Sequence, residues 1–218
     1  MKKKIAIIHT TPATLEPLKS LAAELLPGCE VMNFMDDSIL PQLARNSGDL
    51  GEVEDRLFQY ARFAEAAGAN AILSACSSVG ELVPKARQVV SIPVVRIDEA
   101  MAEEAVRRGR RIGVAATLAT TLNPTLRLLQ SKAQAAGKAV ELIPLLVEAA
   151  YQRLMAGDKE GHDELLAEAL AGLARSTDVV VLAQASMARV SACLPASEQP
   201  KFLSSPRLGM ESVRQALE

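Results

Sequence analysis

The chain of 218 residues is long enough for one large domain or two small ones. Its 49% hydrophobic and 23% charged residues are typical of a globular protein that folds in water. A net charge of −2 excludes the strongly basic surface of a nucleic-acid-binding protein, and 3% aromatic residues without Trp argue against a stacking platform for bases or sugars. We therefore expect no nucleic-acid partner.

The N-terminal region does not have the pattern of a targeting or membrane segment. Three lysines follow Met1 as in the basic start of a signal peptide, but the apolar run at 5–8 is too short to continue one. No apolar run elsewhere approaches the 18 residues of a membrane span. We expect a cytoplasmic protein with no membrane partner.

The three cysteines are widely separated in the sequence, at Cys29, Cys76 and Cys193, and the chain has only two histidines. This set predicts neither a disulfide framework nor a structural zinc site. Cys29 follows a Pro-Gly turn and Cys193 precedes a proline-rich loop, so we interpret both as structural. No metal site is expected.

In the first half of the chain, short apolar runs alternate with segments of helical period. The predicted strands are 5–8, 31–35, 71–73 and 92–97, and the predicted helices are 14–26, 54–67 and 79–90. The polar segment 38–51 contains Pro41 and Gly48 and predicts a long loop with at most a short helix. Loops of that length in a compact domain often serve as functional lids.

The stretch after the third predicted strand is the most informative one. Cys76, Ser77 and Ser78 stand between an apolar run and a helical segment, which places them at the carboxyl edge of a sheet, where open α/β sheets bind small ligands. The N–H groups that begin the next helix favour an anion there and lower the pKa of a thiol. The pattern predicts a reactive thiolate beside a carboxylate cradle; the alternative is an inert, packed cysteine.

The second half repeats this order of elements. Its predicted strands are 111–117, 140–144 and 178–187, the first and last with their polar ends, and its predicted helices are 100–108, 124–136, 147–155, 163–175 and 210–217. A shift of 107 residues relates Ile5 to Ile112, and a shift of 108 relates Ile72 to Val180. Carried forward, the second shift brings Cys76 to Gln184. We expect two similar α/β halves whose strand ends face a shared cleft.

Two related halves suit a proton transfer at a carbon next to a carboxylate, with a base on one side and an acid on the other. Hydroxyl groups at the predicted strand ends are candidates to hold the carboxylate as charge develops on it. The alternative is that they cap the helices that follow. These candidates are Thr10, Thr11, Ser77, Ser78, Thr117, Thr120, Thr121 and Ser186.

Five stretches, which together extend over nearly the whole chain, resemble the aspartate/glutamate/hydantoin racemase superfamily. They are 8–12, 76–78, 92–101, 111–121 and 182–187. The resemblance implies two pseudo-symmetric, flavodoxin-like parallel-sheet lobes with the active site between them, residues 1–98 with 208–218 and residues 99–207. It also implies a cofactor-independent racemase or isomerase for a small carboxylate-bearing substrate, such as an amino acid or a hydantoin, and a homo-oligomer.

By position, the resemblance assigns Cys76 as the acid or base of the first half, with Ser77 and Ser78 beside it. It assigns Thr117 and Thr121 as hydroxyls that hold the substrate carboxylate. Where the second cysteine is expected this chain has Gln184, and an amide cannot donate and accept a proton reversibly near neutral pH.

Three alternatives follow from this replacement. His9 can serve as the second acid or base because its ordinary pKa suits that role, although polar packing is the other interpretation. Cys76 can act alone, in a lyase, a decarboxylase or a maleate-isomerase-like enzyme, with Gln184 hydrogen-bonded to the substrate. The chain can also bind a small acid without turning it over. The expected catalytic residues are thus Cys76, His9 and Gln184.

Overall fold

The computed structural model describes residues 2–218, apart from the side chain of Ser186. Within that range the chain forms two four-stranded sheets, each with helices around it. The strands are β1 (Lys4–His9), β2 (Glu30–Met35), β3 (Ala71–Ser74), β4 (Val94–Arg96), β5 (Arg111–Ala116), β6 (Glu141–Leu146), β7 (Val179–Leu182) and β8 (Phe202–Ser204). The helices are α1 (Leu15–Leu25), α2 (Ile39–Arg45), α3 (Gly51–Ala66), α4 (Val83–Ala86), α5 (Glu99–Arg108), α6 (Ala119–Ala135), α7 (Glu148–Met155), α8 (Lys159–Ala174), α9 (Ala188–Ser191) and α10 (Ser205–Ala216).

The first unit comprises Met1–Glu99 and Pro206–Glu218. Its strands are all parallel and lie in the order β2-β1-β3-β4. Side chains alternate between the two faces of a strand, so Ile5 and Ile7 pack in one core with α1 and α10, whereas Ala6 and Ile8 pack in a second core with α2 and α3. Burial on both faces explains why β1 and β3 are apolar without interruption.

The segment predicted as a long polar loop is largely helical. α2 covers Ile39–Arg45, and α3 begins at Gly51, three residues before the predicted start. Ile39 and Leu43 are buried completely or nearly so and belong to the core. These two apolar anchors fasten the segment to the unit, which is not the behaviour of a mobile lid.

The second unit comprises Ala100–Ser205 and repeats the parallel order of the first, as β6-β5-β7-β8. The pairing of Ile5 with Ala71 in the first unit corresponds to the pairing of Ile112 with Val179 in the second. These equivalences are shifts of 107 and 108 residues, the values that the sequence repeat predicts. The predicted fold class, two similar parallel α/β lobes, is confirmed in each unit.

Several element boundaries differ from the predicted ones. α6 begins at Ala119 instead of 124, with Pro124 inside the helix at the cost of one backbone hydrogen bond. The 79–90 segment is a 3-10 helix, Ser77–Leu82, followed by the short α4. β8 was not predicted because its three residues follow a proline-rich stretch, and its pairing with β7 establishes it. Among the helices of the described chain, none has the length and apolarity that a membrane span requires.

Candidate functional site

Cys76 lies just beyond the carboxyl end of β3, an inner strand of the first sheet. Its backbone is extended, with φ −137° and ψ 117°, and the residue forms the N-cap of the 3-10 helix Ser77–Leu82. Thr10 follows the neighbouring strand β1 directly, so the two residues meet at the same edge of the sheet. This is the position that the sequence pattern predicted for Cys76.

The Cys76 thiol is buried, with 9% of the residue exposed. Burial raises the pKa of this thiol, and the Thr10 hydroxyl, the backbone N–H groups of Ser78 and Val79 and the Ser78 hydroxyl oppose that rise without cancelling it. The predicted lowering of the pKa is therefore wrong, because desolvation outweighs the donors at the helix start. The resting thiol is protonated at neutral pH, within a set of donors that suit a thiolate.

Thr10 carries an unsatisfied polar atom at this place. The residue is 2% exposed, and its Oγ1 has no hydrogen-bond partner among residues 2–218. It interacts with the Cys76 thiol, but the alignment falls short of a hydrogen bond. Buried hydroxyls in native proteins are nearly always partnered, so one without a partner beside a thiol marks a place that a polar ligand would fill.

Thr11 and the two serines divide between capping and the site. The Thr11 hydroxyl accepts a hydrogen bond from the N–H of Ala13 at 3.4 Å and caps the 3-10 helix Pro12–Thr14, which is the alternative role considered for these hydroxyls. Ser77 and Ser78 are 8% and 4% exposed and lie directly after Cys76. They, with Thr10, are the hydroxyls that the structure brings to the thiol.

His9 is completely buried, and both of its ring nitrogens are engaged. Nε2 lies 3.0 Å from Oδ1 of Asn33, and Nδ1 lies 2.7 Å from Oγ1 of Thr14. Burial lowers the pKa of His9, against the hydrogen bond to Asn33, so the ring is neutral: Nε2–H donates to Asn33 and Nδ1 accepts from Thr14. The hypothesis that His9 is a second acid or base gains no support from this geometry.

The loop after Cys76 packs against a buried ion pair that was not among the predicted site residues. Arg96, at the end of β4, donates from Nε to Oδ1 of Asp98 at 2.6 Å and from Nη2 to Oδ2 at 3.1 Å. The side chains of Arg96 and Asp98 are 8% and 0% exposed. The guanidinium lies against Gly80 of the 3-10 helix. An Arg at the end of an otherwise apolar strand was the signal in the sequence.

In the second unit, Gln184 follows β7 and forms the N-cap of the 3-10 helix Ala185–Met187, with φ −125° and ψ 135°. Its Oε1 accepts two hydrogen bonds from Thr117, one from the backbone N–H at 2.6 Å and one from the hydroxyl at 2.9 Å. Thr117 comes directly after β5. Gln184 thus stands in its sheet where Cys76 stands in the first, and Thr117 where Thr10 stands.

The remaining predicted residues lie at the start of α6 or outside the described atoms. Thr121 is buried, and its backbone carbonyl accepts from the Thr125 hydroxyl at 2.9 Å. Thr120 is half-buried in the first turn of α6. The predicted site residue Ser186 has a side chain outside the part of the chain that the structure describes. Within that part, no three His, Cys, Asp or Glu side chains gather as metal ligands would.

The comparison with protein families agrees with this architecture. The family model described as Asp/Glu/Hydantoin racemase matches residues 5–213, which is nearly the whole chain. This chain belongs to the Asp/Glu/Hydantoin racemase family. A comparison with curated proteins finds none that matches it significantly.

Solved racemase structures share the fold of this racemase-family chain at low sequence identity. A putative Asp/Glu racemase from Yersinia pestis is 15% identical over 99% of this chain and 100% of its own, with a TM-score of 0.77. Glutamate racemase isoform RacE1 from Bacillus anthracis is 18% identical, over 100% of this chain and 82% of its own, with a TM-score of 0.75. Allantoin racemase from Klebsiella pneumoniae is 20% identical, over 98% of this chain and 86% of its own, with a TM-score of 0.67.

Proposed function

We propose that this member of the racemase family is a cofactor-independent isomerase or racemase that moves a proton at the carbon next to a carboxylate, with Cys76 as the acid or base. The observation that carries the proposal is the buried Thr10 hydroxyl, which has no partner in the described chain and lies beside the Cys76 thiol. The substrate class is a small acid such as an amino acid or a hydantoin, as the family description suggests.

The donors around Cys76 suit a thiol that cycles through its ionised form. The N–H groups of Ser78 and Val79 and the hydroxyls of Thr10 and Ser78 all favour the thiolate. A thiolate takes the proton as the C–H bond breaks, and the electron pair of that bond moves into the carboxylate. The new S–H bond then returns a proton to carbon. Hydroxyl donors at Thr10 and Ser77 are placed to hold the carboxylate as its charge grows.

The raised pKa of Cys76 favours a second candidate, a single-cysteine decarboxylase or lyase. A thiol that is protonated at rest is ready as an acid. In a decarboxylation the C–CO₂ bond breaks, carbon dioxide leaves, and the electron pair remains on a carbon that a second carboxylate stabilises. The Cys76 thiol then gives its proton to that carbon, and water restores it. This chemistry needs one titratable group, which fits the engaged ring of His9.

Incubation in deuterated water tests the proposal. We would follow deuterium incorporation at the α-carbon of the D and L forms of aspartate, glutamate and allantoin, and carbon dioxide release from substituted malonates. Deuterium incorporation supports the isomerase, and carbon dioxide release supports the decarboxylase. Cys76→Ser should lower either rate at least about 1,000-fold, whereas Cys193→Ser, at an exposed cysteine, should leave it unchanged.

Two results would refute the catalytic proposal. One is turnover that persists in Cys76→Ser at the rate of the unmodified chain. The other is binding of these acids without exchange or release in either protein, which would support the non-catalytic, small-acid-binding relative.

We also propose a homo-oligomer in the cytoplasm, as the family resemblance and the alanine- and leucine-rich helices suggest. Light scattering coupled to size-exclusion chromatography measures the mass in solution. A mass equal to that of one chain at micromolar concentration would contradict the first part.

A further inference from the structure

We propose that Gln184 is a fixed hydrogen-bond donor to an oxygen of the bound acid, and that Thr117 is the positioning residue that fixes it. The inference rests on the proposed function for one point, that the ligand is a carboxylic acid. It assigns to the strand end of the second unit a binding role, with no part in proton transfer.

The orientation of the Gln184 amide follows from its partners. Amide oxygen and nitrogen are hard to distinguish by shape, but the backbone N–H of Thr117 can only donate, and it lies 2.6 Å from the amide atom assigned as Oε1. That atom must therefore be the oxygen. Since Oε1 is held in this position, the Nε2 amino group must project on the other side of the amide plane.

The same contacts determine what each group still offers to a ligand. The Thr117 hydroxyl donates its one hydrogen to Oε1 of Gln184 at 2.9 Å, so toward a ligand it can only accept. The Nε2 group of Gln184 makes no hydrogen bond within the described chain and keeps two N–H donors. Gln184 is half-buried, so these donors are partly shielded from water. Two convergent N–H donors suit a carboxylate or carbonyl oxygen.

The equivalent positions of the two units thus have different chemistry. In the first unit, the Thr10 hydroxyl is uncommitted beside a thiol that can lose and regain a proton. In the second, the Thr117 hydroxyl is committed to an amide that cannot carry a proton at neutral pH. The resemblance implied Thr117 as a donor to the carboxylate, whereas this geometry gives that donor role to Gln184.

The test measures binding and does not depend on turnover. ¹⁵N NMR would follow the Gln184 side-chain amide while D- and L-glutamate, D- and L-aspartate and succinate are added to the full-length protein, and calorimetry would give each Kd. We expect the Nε2 resonance to shift on binding. Gln184→Glu keeps an oxygen for Thr117 but removes both donors and adds a negative charge, so we expect binding about 100-fold weaker.

Thr117→Val keeps the backbone N–H and removes the hydroxyl, so one of the two anchors of Gln184 is lost. We expect binding about 10-fold weaker, recovered to within about 2-fold by Thr117→Ser. Thr125→Val is the matched control, because its hydroxyl donates to the Thr121 carbonyl in the same helix and holds nothing at Gln184. Its binding should equal that of the unmodified chain.

The inference is overturned if the Nε2 resonance stays unmoved by all five acids, if Gln184→Glu binds them normally, or if Thr117→Val cannot be distinguished from Thr125→Val. Its failure is separable from failure of the proposed function. Binding that depends on Gln184 but shows no exchange or carbon dioxide release refutes only the catalytic proposal. Turnover that depends on Cys76 with normal binding in Gln184→Glu refutes only the donor role.

Discussion

The guanidinium of Arg96 occupies the space that a side chain at position 80 would need. A Cβ added to Gly80 would lie 2.8 Å from Nη2 of Arg96 and closer still to Nε and Cζ. The guanidinium cannot simply swing away, because Asp98 holds it through two hydrogen bonds. Gly80 is part of the 3-10 helix that Cys76 begins, so this contact supports the loop that carries the thiol.

Gly80→Ala should therefore destabilise the protein. The added methyl group must displace either the ion pair or the 3-10 helix, at a cost of about 1–3 kcal/mol in the free energy of unfolding, measured by urea denaturation. The control is Gly172→Ala in α8, where the nearest atom is 4.0 Å away and helix propensity predicts a gain of about 0.5–1 kcal/mol. Equal stability of the two variants would contradict the steric interpretation.

Asp98→Asn should be more damaging, because it keeps the shape of the side chain but leaves the buried Arg96 charge uncompensated. Removal of one partner from a buried ion pair costs about 3–5 kcal/mol in the free energy of unfolding. Glu104→Gln, at the exposed pair with Arg107, is the comparison and should have a far smaller effect. A small loss for Asp98→Asn, comparable to that of Glu104→Gln, would mean that water reaches the guanidinium.

The Cys76 thiol makes stability depend on pH in alkaline solution. Its pKa is raised by burial in the folded chain, so above the ordinary thiol pKa of about 8.5 the unfolded chain loses a proton that the folded chain keeps. Stability contributed by the neutral thiol is thus fully present below that pH and is lost as pH rises. Cys76→Ser should flatten the fall in unfolding free energy between about pH 8 and 10, and Cys193→Ser should not.

Alkylation should distinguish the cysteines in an order opposite to the one that a helix-start thiolate would give. Cys193 is exposed and Cys29 is half-buried, whereas Cys76 is buried and protonated at neutral pH. Mass spectrometry after a brief iodoacetamide pulse at pH 7 should find Cys193 modified first and Cys76 last. Rapid modification of Cys76 would show that the thiol ionises despite its burial.

Tyr60→Phe should weaken the attachment of α2 to the first unit. The Tyr60 hydroxyl donates to Asp36 at 2.9 Å, and Arg56 binds the same carboxylate oxygen at 3.0 Å. Burial alone would raise the pKa of Asp36, but hydrogen bonds from Ser38 and Tyr60 and the charge of Arg56 lower it overall. The variant should lose about 1 kcal/mol in unfolding free energy at pH 7.

The pH dependence of this loss gives the check. A lowered pKa contributes stability that is present above the ordinary Asp pKa of about 3.9 and disappears as pH falls through the folded value. The difference between Tyr60→Phe and the unmodified chain should therefore shrink in acid. Tyr151→Phe, whose hydroxyl has no hydrogen bond in the described chain, should show no difference at either pH. A loss that is constant with pH would exclude Asp36 as the cause.

The local pattern of residues was enough to predict the order of most elements and the repeat. Apolar runs such as 5–8 and 71–73 are strands because a parallel strand buried on both faces must be apolar throughout. The equivalence of Cys76 and Gln184 followed from the same spacing, since both come two residues after a strand. Where pairing with a neighbour defines the element, as in β8, the local pattern was not sufficient.

Properties that depend on contacts between distant parts of the chain came only from the folded structure. The rise in the Cys76 pKa reflects how completely its neighbours exclude water, which no helix-start rule contains. The commitment of Thr117 to Gln184 joins residues 67 positions apart, and the placement of Arg96 over Gly80 joins two strand ends. Residue types and spacing determine which groups reach a sheet edge; desolvation and packing there determine what those groups can do.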